Sequence, residues 1–145
     1  MLCAVHLQES TTFNSVRTGC TYTIRDQVGC KSSNIIYLVD CARCASVQYV
    51  GETGQTISRR MHAHRSNIGT TPRPAVGATA PHQEGYRRET LVARHFQSNS
   101  HSVEDMRVLV IEQIKEDNSS IRKTRERYWR HKLRTNYPQG LNVWD

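Results

Sequence analysis

Hydrophobic residues fall in short blocks separated by turn-forming stretches. "NIIYLVD" (34–40) crowds β-branched and aromatic residues into one run and predicts a strand. "VQYVG" (47–51) predicts a second, close enough that an antiparallel hairpin with Cys41 and Cys44 near its tip is the simplest geometry. "GETGQT" supplies turn residues, and Gln55 or Thr56 leads into a helix over 57–67. A second helix follows over 88–97, "RETLVARHFQ". In "MRVLVIEQI" (106–114), Val108, Leu109, Val110 and Ile111 run together as in a central, well-covered strand. Ser119 or Ser120 then caps a final helix that ends before "NYPQG". The order β-β-α-α-β-α predicts a small α/β (α+β) domain with a central, three-stranded, mostly antiparallel sheet flanked by helices. Residues 1–27 are polar and without clear period, and read as an arm of uncertain order ahead of a domain over 28–145. "GTTPRPAVGATAPHQEGY" (69–86) is a loop too long to be a mere connector.

Helical geometry separates neighbouring residues. At 100° per residue from Ile57, Met61 lies at about 40°, His64 at about −20° and Ile68 at about 20°, so the four share an inward face. Arg60, at about −60°, stands at the edge of that face, whereas Arg59 points away. A histidine on such a face is most simply a satisfied core residue. On the last helix, counted from Ile121, Tyr128 lies at about −20°, Trp129 at about 80°, Leu133 at about 120° and Glu126 at about 140°. Glu126 is therefore expected at the border of the apolar stripe, among arginines. A carboxylate there can hold a hard cation beside a phosphate, or form an ordinary surface salt bridge.

Charge narrows the partners. Lys and Arg number 20 against 13 Asp and Glu, a net +7, and "IRKTRERYWRHKLR" (121–134) concentrates the excess. Such a helix suits a phosphate backbone, since neutralising phosphates releases counterions; a solvated helix face is the plainer alternative. "IIYLV" is too short to cross a bilayer and "MLCAVHL" lacks the pattern of a signal peptide, which predicts a soluble intracellular protein. In that compartment, five cysteines point to thiols or metal ligands over disulfides.

Cysteine and histidine spacing is more specific than charge. Cys41-x-x-Cys44 is a metal-knuckle spacing, and "HFQSNSH" adds His95 and His101. Two Cys and two His make a closed tetrahedral zinc site tying the hairpin tip to the end of the second helix, and a closed site is structural. Two buried thiols and two unrelated histidines are the alternative. Cys3 and Cys20 lack matching spacings, and Cys30 is close enough to the first strand to replace one ligand.

"IIY" and, further on, "YVG", then Arg60, His64, Glu126 and "GLN" (140–142) together resemble the GIY-YIG nuclease superfamily. The likeness is closest to the endonuclease domain of Penelope-like retroelements, through "CKSSNIIYLVDCARCASVQYVGETGQT", "HFQSNSHS", "RERYW" and "LRTNYPQGLN", over about residues 28–143. The resemblance implies a GIY-YIG-type fold with a zinc-finger-like clip. It places the motif tyrosines on Tyr37 and Tyr49, the helix arginine on Arg60, the following His or Tyr position on His64, the metal-binding glutamate on Glu126 and the late asparagine on Asn142. The clip falls on Cys41, Cys44, His95 and His101. Ile35 stands where the family has glycine, a structural position, and the 69–86 loop resembles a lineage-specific insertion.

The implied activity is hydrolysis of a DNA phosphodiester with Mg2+ or Mn2+ at Glu126, nicking target DNA for retroelement insertion in the nucleus. A reverse-transcriptase domain in a longer parent protein is the implied companion. Two other classes fit the same residues: a catalytically inactive, zinc-stapled nucleic-acid-binding module, and a zinc-stapled interaction domain whose charge is incidental.

Overall fold

A computed structural model describes residues 6–70, 90–98 and 100–144. Five strands are present: β1 (Thr12–Asn14), β2 (Thr21–Thr23), β3 (Ile35–Cys41), β4 (Gln48–Thr53) and β5 (Met106–Gln113). Three helices accompany them: α1 (Ile57–Thr70), α2 (Thr90–Gln97) and α3 (Ser119–Leu133). The fold is α+β. β3, β4 and β5 form one sheet in the order β4-β3-β5, antiparallel throughout. Most of the 69–86 loop lies outside the described residues, since α1 runs on to Thr70. No described helix is long and apolar enough to cross a membrane.

The central strand is β3 rather than β5, and five consecutive residues, Ile35 to Val39, are buried. Its odd residues, Ile35, Tyr37, Val39 and Cys41, join a core with Ile57, Met61 and Ile68 of α1 and Val92 and Phe96 of α2. Its even residues, Ile36 and Leu38, pack with Val50, Ile111, Trp129, Leu133 and Phe13. β5 stands at the edge, yet reads as apolar because the amino-terminal segment covers it. Leu7 bridges Val108 in parallel, and the Gln8 amide donates to the Val108 carbonyl at 2.7 Å.

From His6 on, the segment read as an arm is built into the domain. Phe13 of β1 and Tyr22 of β2 pack against Trp129 with ring centroids 5.1 and 5.3 Å away. The buried Ser15 hydroxyl donates to the Leu133 carbonyl at 2.7 Å, tying the hairpin to the end of α3. Cys30 is disulfide-bonded, against the expectation of thiols and of a substitute metal ligand. Cys20, Cys41 and Cys44 are free thiols.

α3 presents a different face from the one counted from Ile121. Its buried residues are Arg122, Glu126, Trp129, Arg130 and Leu133, while Ile121 and Tyr128 are exposed. Glu126 thus lies within the buried face, not at its border. The N-cap is Asn118, whose side chain accepts from the Ile121 amide at 3.1 Å, in place of a serine. Arg122 meets Glu52 at 3.0 Å and Asp117 at 3.0 Å, Arg125 takes Glu112 at 2.6 Å, and Arg130 faces Glu126 at 3.6 Å. Charged residues fill this face because each meets an opposite charge. Lys123, Arg127, Lys132 and Arg134 remain exposed.

Candidate functional site

β3 and β4 place Tyr37 and Tyr49 on the face covered by α1, with ring centroids 6.3 Å apart. The α1 face is as counted: Ile57, Met61, His64 and Ile68 are buried and Arg59 is exposed. His64 therefore sits edge-on to both rings, 5.8 Å from Tyr37 and 5.7 Å from Tyr49. One turn earlier, Arg60 donates from Nε to the Tyr37 hydroxyl at 3.0 Å. The same hydroxyl lies 2.8 Å from His64 Nε2. With the arginine donating to its oxygen, the phenol is free to donate its proton to the imidazole.

Electrostatics agree with that direction. Burial, reinforced by the Arg60 charge, lowers the His64 pKa to about 3, so the ring is a neutral acceptor. Burial raises Tyr37 above the ordinary phenol value; Arg60 and a hydrogen bond with Tyr49 oppose this, and the Glu126 carboxylate adds to it. α3 thus brings Glu126 within electrostatic reach of Tyr37.

Three further residues, Gly51 of the second motif and Arg122 and Arg130 of α3, fit these parts together. Gly51 pairs with Tyr37 across the hairpin, and a Cβ there would fall inside the Tyr37 ring. The missing side chain lets that ring lie across β4. Arg122 joins the start of α3 to Glu52 of β4 and to Asn34 before β3, and it packs on Gly54. Since Arg122 lies one turn before Glu126, this clip sets where the carboxylate stands relative to β4. Arg130 flanks Glu126 from the next turn. Long-range ion pairs carry no local sequence signal; the one signal that could have found this face is the spacing of Arg122, Glu126 and Arg130 at successive intervals of four residues.

Asn142 is buried and makes a peptide clamp. Its Oδ1 accepts from the Val50 amide at 2.8 Å and its Nδ2 donates to the Val50 carbonyl at 2.8 Å. The Thr135 hydroxyl donates to the same Oδ1 at 2.7 Å. The clamp fixes β4 between Tyr49 and Gly51, so Asn142 acts on the site through the backbone.

At the far end of the hairpin, Cys41, Cys44, His95 and His101 bring one ligand atom each within 4.8 Å of one another. This group can bind a metal ion. Cys44 Sγ lies 3.6 Å from His95 Nε2, close to the roughly 3.5 Å edge of a tetrahedron with zinc-like bond lengths. Cys41 ends β3 opposite Met106, and the Ala42 amide donates to the Asp105 carbonyl at 2.7 Å, which draws His101 toward the tip. The turn after α2 returns His101 over His95, ring centroids 4.5 Å apart. Burial pushes the Cys44 thiol up, but hydrogen bonds with Ser46 and His101 outweigh it and bring the value down to about 7. Burial, then His101, lowers His95.

The chain matches no protein-family model, no curated protein and no solved structure.

His64 makes the fold acid-sensitive. Its folded pKa lies below the ordinary 6.5, so the unfolded chain takes up the proton first and stability falls as pH drops from about 6.5 toward 3. At pH 5 the expected loss is about 2 kcal/mol. His64→Gln, which keeps an acceptor for Tyr37, should flatten that part of the profile in thermal melts. An unchanged slope would place the acid sensitivity elsewhere.

Proposed function

We propose that the chain is a metal-dependent DNA endonuclease of GIY-YIG type, resembling that of Penelope-like retroelements and nicking target DNA. The observation that carries this reading is the Tyr37 hydroxyl held between the Arg60 guanidinium and the neutral His64 imidazole, at 3.0 and 2.8 Å. A tyrosine that only fills a core needs a single partner for its hydroxyl. Here a cation and a neutral acceptor meet on one phenol, beside a second tyrosine and within reach of a buried carboxylate.

Glu126, a single carboxylate, would hold a hard cation together with water and substrate phosphate rather than in a protein cage. Among the described residues the only cluster of three or more ligating side chains is the Cys/His group. Mg2+ or Mn2+ held by Glu126 would polarise the scissile phosphate and stabilise the leaving oxygen. Arg60 neutralises charge developing on the phosphoryl oxygens. Tyr49 orients the attacking water, whose proton leaves to solvent, while His64 Nε2, a neutral acceptor, holds the Tyr37 hydroxyl in place. The water oxygen bonds to phosphorus as the bond to the sugar oxygen breaks. The Arg60 charge opposes the effect of burial on the Tyr37 phenol and holds its hydroxyl toward the site. Cys41, Cys44, His95 and His101 hold a structural zinc: four protein ligands leave no position for water. Under this reading the partner is DNA, the place of action is the nucleus, and a reverse-transcriptase domain accompanies it in a longer parent.

The complete burial of Tyr37 and the internal use of Asn142 favour a second reading, a catalytically inactive zinc-stapled nucleic-acid-binding module. A supercoiled-plasmid assay with Mg2+ or Mn2+ separates the two. Wild type should produce open circles, and Arg60→Ala should slow this by about a hundredfold or more. No metal-dependent nicking by wild type, or equal nicking by both, rejects the nuclease.

A further inference from the structure

Beyond the end of α3 lies a cleft of about 500 Å3 whose walls include Arg130, His131, Arg134, Gln139 and Trp144. No carboxylate among the described residues lines it. Arg17 is exposed, next in the chain to the lining residue Thr18, and donates from Nε to the carbonyl of Gln139, another lining residue, at 2.8 Å. Cations at a helix C-terminus are favoured by its dipole, which accounts for part of the charge. It does not account for Trp144.

Trp144 is 55% exposed, the most exposed large hydrophobic side chain among the described residues. Its indole N–H donates to the Tyr137 carbonyl at 2.6 Å, so the ring is held by its edge while much of its surface meets solvent. Arg134 occupies the left-handed cap of α3 at φ 54°, a conformation that Gly or Asn adopts with less strain. Arg130 joins the cleft to the candidate active site. Its Nη1 donates to the Val143 carbonyl at 3.4 Å, beside Trp144, and its Nε faces Glu126 at 3.6 Å. An aromatic surface beside cations, without acids, suits a base stacked on the ring and phosphates along the arginines.

We infer that this cleft holds an unpaired nucleotide of the DNA strand next to the cleaved bond, its base stacked on Trp144 and its phosphates against Arg134 and Arg17. The inference rests on the endonuclease reading for its position and deepens it by naming the strand-holding site.

The two tryptophans give a direct measurement, because Trp129 is buried and Trp144 exposed. A short single-stranded oligonucleotide is titrated into the full chain in buffer free of Mg2+ and Mn2+, and emission is followed. Wild type should be quenched. Trp144→Leu, followed by anisotropy of a dye-labelled oligonucleotide because the reporting indole is gone, should bind about tenfold more weakly. Arg134→Gly should also bind more weakly while melting no lower than wild type, which separates lost contact from lost fold. Absent quenching, unchanged affinity in Trp144→Leu, or equal Trp144-dependent quenching by polyglutamate would overturn the inference. So would binding of blunt duplex alone. Quenching without nicking keeps the strand site and rejects the nuclease; nicking with Trp144→Leu binding as wild type rejects the strand site alone.

Discussion

Glu126→Gln is expected to lower Mg2+- or Mn2+-dependent nicking by on the order of a thousandfold, the equivalent of about 4 kcal/mol of transition-state stabilisation. The substitution keeps shape and one acceptor but removes the charge that a hard cation requires. It also leaves Arg130 without its buried counter-charge at 3.6 Å, and breaking a buried pair is destabilising. Activity and folding must therefore be read separately. Thermal melts and circular dichroism report whether the variant folds. Mn2+ binding followed by electron paramagnetic resonance reports whether the ligand is gone. A folded Glu126→Gln that nicks at the wild-type rate would remove Glu126 from the site. A variant that binds Mn2+ as wild type does would move the cation elsewhere.

The second large effect is at the hairpin tip. Cys44→Ser should abolish stoichiometric zinc binding and lower the melting temperature by about 10 °C or more, since bound structural metal contributes to folding free energy directly. Cys44 is the more informative of the two cysteines. Cys41 is fully buried, so changing it disturbs the core whether or not a metal is bound, whereas Cys44 sits half-exposed in the turn. Without a metal, exchanging that sulfur for oxygen would cost less than about 1 kcal/mol, as at other surface positions. Unchanged zinc content, or a melt within a few degrees of wild type, rejects the clip. Nicking should fall with the zinc, because Tyr37 and Cys41 lie on the same face of one strand.

Local periodicity made part of this site legible. The 3.6-residue repeat of α1 put Ile57, Met61, His64 and Ile68 inward, Arg60 at the rim and Arg59 in solvent, and the structure has each where that geometry requires. Cys-x-x-Cys and His-x5-His spacing likewise anticipated a four-ligand cluster. The same method failed on α3, because its buried face is charged. Arg122, Glu126 and Arg130 are stabilised inside by Glu52, Asn34 and each other, and hydrophobicity does not mark a side chain whose partner lies 70 or more residues away.

Strand β5 shows the same limit. Four adjacent apolar residues implied a central strand, but a strand's place depends on what covers its edges, and Leu7 lies against this one from the other end of the chain. The role of Asn142 was equally nonlocal, since only the folded carboxy-terminal loop brings its amide to Val50. Cys30 is disulfide-bonded, which spacing within the chain did not signal. By itself the sequence determined the sheet strands β3, β4 and β5, the three helices, the inward face of α1 and the two ligand pairs Cys41/Cys44 and His95/His101, each of which arises from residues within a few turns of each other. Tertiary structure alone decided which strand is central, which charges are buried in pairs, and how Gly51, Arg122 and Asn142 tie β4 to Tyr37, α3 and the carboxy-terminal loop. Those contacts join segments far apart in the chain, and their energy exists only once the chain has closed around them.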